Sequence, residues 1–170
     1  REMQSGRYRG CENEVFAVWQ ELRKKREFFR QADREDGRQH YFSAEQNARL
    51  VRNAERYYRT MHNAGYDSWN QRDQNMFDTL LAILDHRGRT SKAVVWAHNS
   101  HIGDARATDM RLRGQFNLGQ LARETFGNDV YLIGFGTDHG TVAAASEWGG
   151  AMKVMQLQPS HIDSYERLFH

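Results

Sequence analysis

Lys92-Ala93-Val94-Val95-Trp96-Ala97-His98-Asn99-Ser100-His101 is the stretch on which the reading of the fold turns. Its centre, Ala93-Val94-Val95-Trp96, is a short unbroken apolar run, the pattern of a strand buried on both faces. A polar stretch from 98 to 115 follows, and residues 118–126 then read as a helix closed by Gly127. Residues 129–135 supply a second apolar run, Val130-Tyr131-Leu132-Ile133. Strand, loop, helix, strand is the βαβ order, which favours a parallel sheet with a right-handed crossover. Downstream, Gly134, Gly136 and Gly140 punctuate a turn, and 142–145 and 154–157 read as further strands. Pro159 and Ser160 open a last helix, with Asp163 as capping partner.

Upstream the period lengthens to that of helices. Val15, Trp19, Leu22 and Phe29 make an amphipathic stripe over 12–32, which the polar segment 33–38, with Gly37, interrupts. Ser43-Ala44-Glu45-Gln46 has the spacing of a capping box and predicts a new helix start at Ser43. Its buried side is expected at Ala44, Ala48, Val51, Ala54, Tyr58 and Met61, with Gly65 as terminator. A third helix is expected over 71–86, with Met76, Phe77, Leu80, Leu81 and Leu84 inward and Gly88 ending it. The fold class expected is therefore α/β. A parallel sheet built from βαβ units over residues 89–170 is preceded by an antiparallel helical segment over 1–88.

Composition narrows the function. The chain of 170 residues, 39% of them hydrophobic, is long and apolar enough for one real core. No apolar run approaches the roughly 18–20 residues needed to span a bilayer, and no signal-peptide pattern opens the chain, so a soluble, cytoplasmic protein without membrane contacts is expected. The net charge of +2 comes from mixed acids and bases. The most basic run, Arg23-Lys24-Lys25-Arg26, lies between Glu21 and Glu27 and reads as a solvated helix face, so no nucleic-acid partner is expected. A single cysteine, Cys11, excludes an internal disulfide framework and a multi-cysteine zinc site. Its place in an entry segment before a helix argues against a nucleophile. The chain opens on Arg1 rather than Met and stops at His170 within a helical pattern, which reads as an excerpt of a longer polypeptide.

Ligands of open parallel sheets bind beyond the carboxyl ends of the strands. That rule points to His98, Asn99, Ser100 and His101. Imidazoles there can act as general base or acid near neutrality, and Asn99 can orient a ring or stabilise an oxyanion. The bland reading is a polar strand cap. His98, His101 and Asp104 also have a spacing that can ligate zinc or iron, a pattern of low specificity. Arg72 and Asp73 at an expected helix start read either as a solvated cation beside a dipole-complementing carboxylate, or as a guanidinium clamp with its partner. Gly134-Phe135-Gly136 lacks the Lys-Ser/Thr ending of a phosphate loop. Ser100 sits in no Gly-x-Ser-x-Gly elbow. His139 at a loop tip reads first as solvated, the alternating charges from Asp104 to Arg113 as a cleft rim, and Trp148 equally as packing or as a substrate contact.

Together these pieces resemble the erythromycin esterase family of bacterial hydrolases. The matching elements are Arg72, Asp73 and Met76 on one helix, then Val95-Trp96-Ala97-His98-Asn99-Ser100-His101-Ile102-Gly103. Gly119 and Leu121, Val130-Tyr131-Leu132-Ile133-Gly134-Phe135 and Ser164-Tyr165-Glu166 follow in order over residues 66–170. The resemblance implies a monomeric, metal-independent and cofactor-free hydrolase in which histidine activates water against a small-molecule ester, a macrolide lactone in the group that named the family. It matches His98 and His101 to the family's second pair of active-site histidines, Arg72 to an arginine at the cleft and Asp73 to its partner. His98 would polarise the attacked carbonyl, and His101 would protonate the leaving alkoxide or orient a neighbour. One family motif, a glycine-glutamate run followed by His-Gly and carrying the proposed general base, has no counterpart here. The only His-Gly pair, His139-Gly140, lies downstream without the glutamate. The resemblance thus implies that this segment supplies part of an active site and is inactive alone. A catalytically silent binding or scaffold homologue, and a metal-dependent protein, are the competing readings.

Overall fold

A computed structural model describes residues 11–31, 35–61, 67–147 and 149–170. The expected terminator Gly65, the break beginning at Asp33 and the aromatic Trp148 lie outside them. The chain divides into two compact units, Arg1–Leu132 and Ile133–His170.

In the first unit, α1 (Glu12–Lys24) carries Glu12 and Glu14 in its first turn and Arg23 and Lys24 in its last, each complementing the helix dipole. Val15, Trp19 and Leu22 are half-buried, as the stripe predicts. The expected single helix is instead two. The Lys25 N–H is shared between the Glu21 and Leu22 carbonyls, both at 3.2 Å, and α2 (Arg26–Gln31) starts anew. The basic run is exposed, as expected of a solvated face.

The next helix, α3 (Glu35–Met61), passes straight through Gly37 and Ser43, so the capping-box reading at Ser43 is corrected. Tertiary contacts hold the preceding turn helical. The Tyr41 hydroxyl donates to the Leu22 carbonyl at 3.0 Å, Tyr41 stacks on Phe29, and Phe42 stacks on His86 with centroids 4.0 Å apart. These aromatics also set the rotation of the helix. Tyr41 is buried and Ala48 and Ala54 are half-buried, whereas Ala44, Val51 and Tyr58 of the expected stripe are exposed. Polar bonds join α3 to α4 (Asp67–Arg87), among them Arg49 Nη2 to Thr79 Oγ1 at 3.0 Å and Thr60 Oγ1 to Gln71 Oε1 at 3.1 Å.

The helix α4 begins a turn earlier than expected and ends at Gly88, whose φ of +97° suits glycine. Its inward residues match the sequence reading. Phe77 is buried, with Met76, Leu80 and Leu81 packed around it. The polar stretch after residue 98 is not an open loop but a single turn, α5 (Asn99–Ile102), followed by short 3-10 turns at Ala105–Ala107 and Asp109–Arg113. Helix α6 (Leu118–Phe126) has the expected bounds. Its Leu118 and Ala122 complete the core with Phe77, and Leu121, Phe126 and Val130 flank them. Burial of Phe77 and Leu118 contributes roughly 1.5–3 kcal/mol each.

The expected parallel sheet is absent among the described residues. Residues 91–98 and 130–137 form no helix and belong to no ladder, and Val94 and Trp96 are 95% and 85% exposed. An apolar ribbon becomes a parallel strand only when neighbours accept its backbone bonds on both sides. The sheet observed lies in the second unit, where β1 (Thr141–Ala144) and β2 (Lys153–Gln156) pair antiparallel with Val142 opposite Met155. The sequence places strands at both, one residue further on, without assigning their pairing. The last helix, α7 (Tyr165–Leu168), is capped by Ser164 rather than opened at Ser160, because the Ser160 side chain is bound to Asp138. No helix among the described residues is long and apolar enough to cross a membrane.

Gly119 sets how closely α6 approaches α5. A Cβ there would collide with the carbonyl oxygens of Ile102 and Gly103, which are backbone atoms and cannot rotate away. Gly119→Ala should destabilise the protein by about 1–3 kcal/mol, read as a lowered urea midpoint. An unchanged midpoint would show that the two elements separate freely.

Candidate active site

Three elements converge on the pair Asp73–His101. From α4, Trp69, Arg72 and Asp73 project at positions i, i+3 and i+4, one face of the helix. From α5 comes His101 itself, and from α6 the first helical N–H, that of Leu118.

Asp73 is the anchor, with 0% exposure. Its Oδ2 accepts from Leu118 N at 3.0 Å, which satisfies a free N–H at the start of α6. Its two oxygens also lie 2.9 and 3.0 Å from His101 Nδ1. An ionised carboxylate only accepts, so Nδ1 carries the proton and Nε2 of the neutral ring holds the lone pair. Arg72 Nη2 stands 3.4 Å from that Nε2. The guanidinium has no carboxylate partner among the described residues, and its Nε is buried without a hydrogen bond. Asp73 is therefore not Arg72's salt-bridge partner; the imidazole stands between them.

His98 has the opposite arrangement. It is the N-cap of α5, and its Nδ1 accepts from Ser100 N at 3.2 Å, with Ser100 Oγ at 2.9 Å. A backbone N–H can only donate, so the neutral His98 ring carries its proton on Nε2. The ring is exposed. His98 thus offers a donor, and His101 an acceptor backed by a carboxylate. Asn99 is the exposed first residue of α5, and its carbonyl accepts from Gly103 N at 3.0 Å. Asp104 does not join the two histidines as a ligand set. Arg106 holds it in a fork at 2.9 and 2.7 Å, and this bond keeps the Asp104 carboxyl below its usual range.

Sequence reasoning missed the residues that hold this arrangement. Trp69 stacks on the His101 ring, centroids 4.7 Å apart and planes within 4°. Asn117, fully buried, caps α6 through Gln120 N and donates to the Ser100 carbonyl, both at 2.9 Å. Asn70 binds the Gly114 carbonyl and the Phe116 N–H, at 2.9 and 3.0 Å. A signal existed. Positions 69, 72, 73, 76, 77 and 80 form one continuous helical stripe, polar at its first end and apolar at its second.

In the second unit, Asp138 gathers a separate cluster. Its Oδ1 accepts from Ser160 Oγ, and its Oδ2 faces His139 Nδ1 at 2.7 Å, Arg167 Nη1 at 3.3 Å and His170 Nε2 at 3.8 Å. Asp138, His139 and His170 are the group among the described residues whose donor atoms lie close enough to hold a metal ion. Two imidazoles and a carboxylate suit a divalent transition ion. The Arg167 guanidinium on the same oxygen opposes one, and its charge already offsets that of the carboxylate.

The family model for erythromycin esterase matches residues 1–170, and the chain belongs to that family. No solved structure matches the chain.

The Ser160 hydroxyl, followed by the His139 ring, pulls the Asp138 carboxyl from 3.8 to about 2. A depressed carboxylate stabilises the fold above its unfolded value and loses that contribution as pH falls through its folded one. This stabilisation should therefore be intact above about pH 4 and fade towards pH 2. Ser160→Ala should raise the Asp138 pKa, followed by carboxyl carbon NMR, and start the acid-induced loss at higher pH. A variant that titrates like the parent would remove the serine from this account.

Proposed function

We propose that this member of the erythromycin esterase family hydrolyses a carboxylic ester or macrolide lactone with water activated by histidine. The observation that carries the proposal is the Asp73–His101 contact. It fixes one tautomer and leaves the basic Nε2 on the side of Arg72.

In this reading, His101 Nε2 takes a proton from water as the oxygen attacks the ester carbonyl, and Asp73 stabilises the imidazolium that forms. His98 Nε2–H donates to the carbonyl oxygen as it becomes an oxyanion. Arg72 turns from Nε2 to the same developing charge. Collapse breaks the acyl–oxygen bond, His101 returns its proton to the leaving alkoxide, and the products are a carboxylic acid and an alcohol. Asn99, beside both rings in sequence, completes the polar rim. No metal or cofactor enters these steps, and a single small-molecule ester is the partner required.

The finer fold belongs to the same proposal. Residues 93–97 and 130–135 are parallel strands of the family's sheet, with the His98 turn at the carboxyl end of the first. Their apolar composition combined with high exposure supports this, since surface of that kind calls for cover. Amide exchange on the intact protein should show Val94, Val95 and Tyr131 protected. Exchange at the rate of free peptide would remove the sheet from the proposal.

The chemistry is tested with the intact protein against macrolide lactones and simple aryl esters. His101→Ala should lower kcat by about 10²–10⁴-fold. Asp73→Asn keeps an acceptor for Leu118 N but presents an amide N–H₂ to the ring, reversing the tautomer, and should cost a similar factor. His98→Ala should cost less if its part is to donate one hydrogen bond. Turnover that survives all three substitutions would defeat the assignment. Macrolide binding without any turnover by the parent protein would identify a binding module instead.

A further inference from the structure

The contact between Asp73 and His101 leaves one motion of the ring undetermined. A hydrogen bond at Nδ1 fixes that atom and its direction, but the imidazole can still roll about the Nδ1–carboxylate axis. Rolling would swing Nε2 through an arc and leave the bond intact. A flat surface against the ring removes this freedom, and Trp69 supplies one, 4.7 Å away and within 4° of parallel. The indole is itself held, since Trp69 Nε1 donates to the Phe116 carbonyl at 2.8 Å. The same indole also carries the Arg72 guanidinium, whose Cζ lies 4.7 Å from the ring centroid. Arg72 lacks a carboxylate among the described residues, so this cation–π contact and the 3.4 Å approach to His101 are what direct its charge.

We infer that Trp69 is a positioning residue for the reaction proposed above, an aromatic wall that sets the plane of His101 and parks Arg72 beside its Nε2. The inference rests on that functional reading for its kinetic consequence, but not for its structural one. Trp69 touches neither water nor ester in this scheme. It acts through the two side chains laid on its ring.

The test compares Trp69→Leu, which removes the aromatic face, with Trp69→Phe, which keeps a face and removes only the Nε1–H bond. In the intact protein with labelled histidine, ring current from the indole should shift the His101 ring protons upfield. Trp69→Leu should abolish that shift, and the sharp Nδ1–H signal should broaden as the ring rolls. In ester hydrolysis, Trp69→Leu should lower kcat by about 10- to 100-fold with KM changed less than about twofold. Trp69→Phe should keep the upfield shift and most of kcat, which also settles the matter if the leucine variant fails to fold. Parental His101 resonances in Trp69→Leu, or loss of the shift in a folded Trp69→Phe, would overturn the inference. If the parent protein hydrolyses no ester yet the resonances respond as described, the functional reading falls and the positioning stands.

Discussion

A buried negative charge at Asp73 is the constraint from which the first unit takes its form. A carboxylate without solvent is tolerated only where donors replace the lost water. Here the donors come from two other elements, the Leu118 N–H at the start of α6 and the His101 imidazole on α5. The bond that satisfies the charge therefore also fastens α5 and α6 to α4. Immediately below it Phe77, Leu118 and Ala122 form the apolar core, so charge and core secure the same junction. Gly119 adds a steric condition, because the helix seats against the Ile102 and Gly103 carbonyls only without a side chain there.

The two histidines of one short turn are specialised by their neighbours rather than by their own chemistry. A carboxylate faces Nδ1 of one ring and a backbone N–H faces Nδ1 of the other, which gives opposite tautomers. Acyl transfer needs both an acceptor for a proton and a donor for an oxyanion, and fixed partners provide them without reorganisation at the moment of reaction. The second unit repeats the carboxylate–imidazole pair at Asp138 and His139 with a different outcome. Ser160 and Arg167 share that carboxylate, so its charge is spread over several donors instead of being directed at one ring.

Much of this was legible in the sequence where local pattern and tertiary packing agree. The bounds of α6, the inward face of α4 and the terminating Gly88 follow from periodicity and from glycine's tolerance of positive φ. His98, His101, Arg72 and Asp73 were marked by their place after an apolar run and at a helix start. What was not legible depended on contacts between distant segments. Ser43 has the spacing of a cap, but Tyr41 and Phe42 are held from outside the helix, and the turn before Ser43 stays helical. Asp73 reads as a partner for adjacent Arg72. Yet side chains adjacent on a helix diverge, and each instead meets His101. Trp69 was passed over because the helix was expected to begin two residues later. The apolar runs show the limit of composition, which announces a wish for burial without naming the neighbour that satisfies it.

The helix bearing His101 is one turn long, four residues from Asn99 to Ile102, with His98 as its cap. Each residue of a helix advances its side chain by about 100°. The direction in which His101 leaves the turn is thus written in the count of residues that separate it from its cap. Insertion or loss of a single residue there would rotate one ring away from its carboxylate while every side-chain type was retained. In this protein the spelling of the motif and its length are separate requirements, and homologues that keep the letters but alter the spacing should not be presumed to share its chemistry.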